Sequence, residues 1–257
     1  MTVTRNCIIS LFGLLSLFLA GPVSAELRSG YEFIKPETRA MQDDDFENPG
    51  LLAVEQGEEL FNQKHKPTNK SCASCHGEKG EKLNTKAIAR YPVYNTDSGK
   101  IISLQQRIST CRTQVTDKPL SINHPDLLTL ETFVRNRAHG EAVNVKTEGA
   151  VAELLKKGKA LYEARYGLID ISCYHCHTQY PGKMIRGQKI SQGQSNGFPA
   201  YRLGTGEITN LNQRITQCLN LLRAEPFPSD SEEVKLLELY LMSRSNGLPI
   251  EAPAVRY

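Results

Sequence analysis

An all-α protein made of two tandem, duplicated domains is the fold class this sequence predicts, on three observations. The chain of 257 residues matches itself in two blocks, pairing Gly57 with Gly158, Leu60 with Leu161, Phe61 with Tyr162 and Ser71 with Ser172. A second block pairs Tyr91 with Phe198 and keeps its register to Gly140 and Gly247. Each copy opens and closes on apolar residues at helical spacing, and no segment alternates clearly as a strand would.

The elements follow in chain order. Arg5, an apolar run from Ile8 to Ala20 and the small residues Val23-Ser24-Ala25 describe a secretory leader cut after Ala25, spanning 1–25. That run is shorter than the ~20 residues a spanning helix needs, so no stable membrane anchor is expected. Removing it discards Cys7 and leaves six of the seven cysteines. Export implies a periplasmic protein. A net charge of +3 for the whole chain, with no Lys/Arg-rich block, gives no warrant for nucleic-acid binding.

Residues 26–50 belong to neither copy and carry the acidic run Asp43-Asp44-Asp45-Phe46-Glu47, which reads as a solvated, partly mobile arm. The first domain spans 51–140, a linker 141–150 and the second domain 151–257. Glu55 to Asn62 and Val151 to Tyr166 are the opening helices. Gly57 and Gly158 interrupt them at some cost, and close helix packing explains that choice. Leu127, Leu130, Phe133 and Val134 match Val234, Leu237, Tyr240 and Leu241 in the closing helices. Asp126 and Ser231 are the expected caps, and Gly140 and Gly247 the expected stops. The Gly- and Gln-rich stretch 182–197 makes the second copy longer and reads as a loop.

The chemistry lies in two C-x-x-C-H motifs, Cys72-Ala73-Ser74-Cys75-His76 and Cys173-Tyr174-His175-Cys176-His177. Two thiols three positions apart can form thioether bonds to the two vinyl groups of one porphyrin, and the adjacent His supplies a proximal iron ligand. Two covalently bound haem c groups follow, on Cys72, Cys75 and His76 and on Cys173, Cys176 and His177. Short helices around a haem make each domain cytochrome-c-like.

The residue opposite each His is narrowed by inventory. No Met lies between His76 and Gly140; Met184 comes only seven residues after His177, and Met242 lies inside a predicted helix. His124 and His139 have no counterpart, since no His follows His177. Cys111 and Cys218 alone stand at equivalent positions before the last helix, in Gln106-Arg107-Ile108-Ser109-Thr110-Cys111 and Gln213-Arg214-Ile215-Thr216-Gln217-Cys218. Axial ligation of iron by each thiolate is the expectation, and a Cys111–Cys218 disulfide is the alternative. Thiolate ligation would lower the reduction potential relative to Met. Arg107 and Arg214 stand four residues before their cysteines, where a guanidinium could pair with a haem propionate or bind an anionic oxo-sulfur substrate. His175 reads as a surface residue.

Two C-x-x-C-H motifs with following R-I-x-x-C segments resemble the SoxA family, dihaem subunits of the SoxAX cytochrome in bacterial thiosulfate oxidation. The resemblance covers nearly the whole chain after the leader. It implies an L-cysteine S-thiosulfotransferase that joins thiosulfate oxidatively to a cysteine of the SoxYZ carrier. A mono-haem SoxX subunit would complete a heterodimer and pass electrons to a downstream c-type cytochrome. By the same resemblance the second haem is the catalytic one, Cys218 is the active-site residue and can occur as a persulfide, and Arg214 binds substrate. The first haem, with Cys111 opposite His76, is then not the reaction centre. The competing reading is a non-catalytic periplasmic dihaem electron-transfer cytochrome.

Overall fold

Residues 26–116 and 118–257 are described by the computed structural model; the expected leader lies outside the described residues. The chain begins with a 3-10 turn, Gly30–Phe33, and α1, Pro36–Asp43, started by a proline whose missing N–H costs a first turn nothing. The first lobe follows as α2 (Leu51–Asn62), α3 (Ala73–His76) and α4 (Thr85–Ile88). A hairpin of β1 (Val93–Asn95) and β2 (Lys100–Ile102) then leads into α5 (Leu104–Arg112) and α6 (Pro125–Asn136).

The second lobe repeats this order. It runs through α7 (Val151–Glu163), a π-helical turn at His175–Gln179, a small hairpin of β3 (Met184–Ile185) and β4 (Gln188–Lys189), and a second hairpin of β5 (Ala200–Arg202) and β6 (Glu207–Thr209). Then come α8 (Leu211–Leu221), α9 (Glu232–Ser243) and the terminal strand β7 (Ala254–Arg256), which pairs parallel to β5. Helices dominate, and the strands the sequence did not announce are two or three residues long. They are too short for an alternating pattern to register.

Each lobe is held by one crossed helix pair, α2 on α6 and α7 on α9. The interrupting glycines lie at those crossings. A Cβ on Gly57 would fall 2.6 Å from the Thr129 carbonyl oxygen and from Phe133 Cβ, and one on Gly158 would fall 2.3 Å from the Leu236 oxygen. The backbones therefore approach more closely than any side chain permits. Phe133, Leu127 and Leu130 are fully buried behind the first crossing, and Tyr162, Val234 and Leu237 behind the second. Ser231 caps α9 as expected, whereas α6 starts two residues earlier than expected, with the His124 ring accepting from the Asp126 N–H and Pro125 at the first helical position. Gly140 and Gly247 adopt positive φ (80° and 89°) in the turns that follow α6 and α9.

Two segments carry more structure than the sequence suggested. The arm is pinned to the second lobe: the Asn48 side chain donates to the Pro253 carbonyl at 3.1 Å, and Gln42 accepts from the Val255 N–H at 3.0 Å. Polar composition concealed these contacts, because they run to backbone groups. Only the acidic tip matches expectation, with Phe46 wholly exposed. The linker likewise runs against residues 247–250, with Val143 N–H donating to Leu248 O and Ile250 N–H to Glu141 O, both at 2.9 Å. Val143 and Val145 are buried there, so the two lobes share one hydrophobic core.

Candidate functional site

Each C-x-x-C-H motif lies on a single helical turn, α in the first lobe and partly π in the second, and a similar tight turn delivers both. Ahead of each, a tight turn closes on a left-handed residue, Asn69 (φ 53°) or Asp170 (φ 52°), with the bridges His65–Lys70 and Tyr166–Ile171. Asn and Asp tolerate that conformation better than other non-glycine residues. The buried hydroxyls of Ser71 and Ser172 then engage the start of the turn. Ser71 meets Ser74 at 3.3 Å, and Ser172 meets His175 Nδ1 at 2.6 Å. His175 is thus half-buried and serves to tie down the motif, a role its sequence context did not signal.

Opposite stand α5 and α8, each started by a full capping box. Ser103 accepts from the Gln106 N–H while the Gln106 side chain accepts from the Ser103 N–H, and Asn210 and Gln213 do the same. These caps fix where Cys111 and Cys218 come to rest. Burial and then the proximity of Cys218 push the Cys173 thiol up to about 12, and both causes raise Cys176 as well. In the first lobe burial raises Cys72, with the Arg112 charge opposing and Cys111 adding. Each late cysteine therefore lies within electrostatic reach of the motif thiols of its own lobe. All six cysteines of the described residues are free, so no Cys111–Cys218 disulfide forms.

The two lobes differ around the histidines. The His177 ring donates through Nδ1 to the Ser191 carbonyl at 2.9 Å, which leaves Nε2 as the free acceptor nitrogen. Burial holds this imidazole below its ordinary value; the Ser191 carbonyl opposes that, and the Arg214 and Arg244 charges reinforce it. The loop carrying Ser191 crosses the ring so closely that a Cβ on Gly193, at φ +74°, would lie 3.0 Å from His177 Cγ. Arg244 pins that loop by donating to the Gln192 carbonyl at 2.9 Å while stacking over the Tyr162 ring at 4.8 Å. His76 instead packs beside Phe61, ring centroids 6.1 Å apart.

The arginines also diverge. Arg107 is exposed, whereas Arg214 is half-buried, with one weak contact to Gln217 Oε1 at 3.4 Å. Sequence reasoning missed Ser191 and Gly193, which lie in the stretch where the second copy is longer than the first.

The donor set in each lobe fits a covalently held haem: two thiols and an imidazole on one turn, with a third thiol on the facing helix. In the second lobe the imidazole is already oriented by Ser191 to present Nε2. Relatives agree. A family model described as the SoxA/TsdA cytochrome c domain matches twice, at residues 56–143 and 157–250, and a cytochrome c domain is one that carries haem c covalently. Curated relatives named L-cysteine S-thiosulfotransferase subunit SoxA include that of Rhodovulum sulfidophilum, 36% identical over 90% of this chain and 80% of its own. The one from Paracoccus pantotrophus is 36% identical over 89% of this chain and 79% of its own. The crystal structure of SoxXA from P. pantotrophus superposes with a TM-score of 0.82 at 33% identity, covering 90% of this chain and 87% of that one. Duplicated cytochrome c lobes and close relatives alike place this chain in the SoxA family of L-cysteine S-thiosulfotransferase subunits.

Proposed function

We propose that the second lobe is the reaction centre of a thiosulfate-conjugating enzyme. In this reading two haem c groups are held by Cys72, Cys75, Cys173 and Cys176. His76 and Cys111 would hold one iron, and His177 and Cys218 the other. The observation that carries it is the setting of Cys218, a thiol on a capped helix within electrostatic reach of its motif thiols, with Arg214 one turn before it and half-buried.

The overall change balances as a two-electron oxidation. A carrier cysteine, written RSH, and thiosulfate give RS–SSO3⁻, one proton and two electrons. One S–H bond breaks and one S–S bond forms between the carrier sulfur and the terminal sulfur of thiosulfate. Haem, when bound, supplies the one-electron acceptor, and a SoxX-like mono-haem subunit with a downstream c-type cytochrome takes the electrons onward.

The chain's own residues perform the rest. Arg214 binds and orients the sulfonate oxygens through its planar fork, in a setting where partial burial strengthens the attraction. Cys218 presents sulfur beside that anion and can carry an additional sulfur as a persulfide, dividing a difficult conjugation into two steps. Ser191, Gly193 and Arg244 hold His177 in one orientation, so the opposite face stays fixed. The carrier is a SoxYZ-like protein whose cysteine must enter on a flexible arm. The setting is the periplasm, in line with the expected leader; among the described residues no helix is long and apolar enough to cross a membrane.

The test is reconstitution with a SoxX-like subunit, a SoxYZ-like carrier, thiosulfate and an oxidised c-type cytochrome. Intact-mass analysis of the carrier should show one thiosulfonate added on its cysteine, and none with Cys218→Met. Equal conjugation by that variant would return the chain to the electron-transfer reading.

A further inference from the structure

The N-terminal arm takes hold of the loop that orients His177. Ser191 receives the Nδ1 proton of that ring on its carbonyl, and the next residue, Gln192, is where three parts of the chain meet. Its backbone carbonyl accepts from Arg244 at 2.9 Å. Its side-chain amide meets the arm in both senses: Oε1 accepts from the Arg28 N–H at 2.9 Å, and Nε2 donates to the Glu26 carbonyl at 2.8 Å. The two bonds straddle Leu27 and use both polar ends of the amide. Leu27 itself lines one surface cavity with His177, Thr178 and Gln192.

Both amide contacts are exposed, and water competes for each, so alone they would hold little. Buried neighbours fix the two sides. Ser29 and Asn196 are buried, and the Asn196 side chain donates to Ser29 Oγ at 3.3 Å and to the Pro249 carbonyl at 2.9 Å. Ser29 also donates to the Glu251 carboxylate. The Arg28 side chain bonds Glu32 at 3.1 Å and lies over the Phe33 ring at 5.3 Å. With both sides anchored, closing the contact orders few further residues and loses little chain entropy. The first lobe receives nothing comparable. Among the described residues, 26–29 make no hydrogen bond to residues 51–140.

We infer that Gln192 and residues 26–28 are positioning residues for the second lobe's histidine: the clasp fixes the Ser191 carbonyl on His177 Nδ1 and, through it, the orientation and basicity of the imidazole. This inference rests on the reading of His177 as an iron ligand. A fixed acceptor on Nδ1 makes the ring a stronger donor through Nε2, which favours ferric iron and lowers the potential. Released from the arm, the loop would sample several positions of Ser191, and the second haem would report a spread of ligand orientations. The first haem, untouched by the clasp, is the internal reference.

Three haem-loaded heterodimers are compared with the unsubstituted one: Gln192→Ala, a chain lacking residues 26–28, and Gln42→Ala, which frees the arm from Val255 and Arg256 instead. Intact mass and haem content establish that each is complete. Hydrogen exchange of residues 190–194, low-temperature EPR of the oxidised protein and the potential of each haem are read. Gln192→Ala loses two hydrogen bonds, so the loop amides should exchange roughly tenfold faster. Its second-lobe ferric signal should broaden and the second haem's potential rise, with the first haem unmoved. The shortened chain should behave the same way, and Gln42→Ala should lower the unfolding midpoint alone. Faster exchange with an unchanged signal and potential would make the clasp a fastening only and overturn the inference. A change in Gln192→Ala that the shortened chain does not share would overturn the arm's part in it, and an equal change in Gln42→Ala would reduce the effect to general loosening. A second-lobe spectrum without a histidine ligand in the unsubstituted protein would instead sink the reading of His177.

Discussion

Cys218 and Cys111 occupy matching positions on matching helices, yet their neighbours are not alike. Arg214 is half-buried one turn before one, whereas Arg107 is exposed one turn before the other, and Tyr91, which feels the charges of Arg107 and Cys111, is replaced by Phe198 in the second lobe. Arg214→Ala is accordingly expected to raise KM for thiosulfate at least tenfold in steady-state assays with the carrier, whereas Arg107→Ala leaves it within about twofold. Equal small effects would reduce both arginines to propionate partners. The thiols and imidazoles were legible in the sequence because a covalent attachment motif is local, with its spacing written in five consecutive residues. Ser191 and Gly193 were not legible. Their contact with His177 bridges a loop of variable length, and no spacing rule announces it.

The helices owe their positions to a few small devices rather than to long amphipathic stripes. The glycine at each helix crossing is the sharpest of these. Gly158→Ala should be destabilising by about 1–3 kcal/mol or more, because the added methyl meets a backbone oxygen that cannot step aside. Thermal unfolding of the haem-loaded protein measures it, and a wild-type midpoint would refute the close approach. At the start of α8 the capping box sets the height of Cys218. Asn210→Ala should cost roughly 1 kcal/mol and broaden the haem spectrum of the second lobe more than that of the first. Helix existence and pairing were readable from the repeated apolar spacing. The start of α6 was misplaced because Asp126 looks like a cap, while Pro125 can only be accommodated in a helix's first turn. Polar segments bonding to distant backbone, such as the arm, leave no periodic trace.

The two lobes meet around a buried charge cluster whose carboxylates are themselves equivalent in the duplication. Glu131 on α6 and Glu238 on α9 both feel the Arg135 charge, and Lys235 acts on Glu238 as well. Burial lifts Glu131 to about 8 and Glu238 to about 7 from an ordinary 4.5, with Arg135 opposing both. The folded state thus binds protons that the unfolded chain releases. Stability from this cluster is complete at acidic pH, begins to fall above about 4.5 and is lost as pH rises through 7 to 8. The unfolding midpoint should fall between roughly pH 5 and pH 9, and Glu131→Gln should flatten that slope; a variant with the wild-type slope would contradict the cluster's role. Sequence could give two lobes, but not that their closing helices would bring two carboxylates under the influence of one arginine. The account depends most on sulfur facing the motif in each lobe, and low-temperature EPR of the haem-loaded, oxidised protein tests this most directly. It should show low-spin ferric signals of His/thiolate type for both lobes, with Cys218→Met altering one set and leaving the other. A His/Met or bis-His spectrum in the unsubstituted second lobe would contradict it.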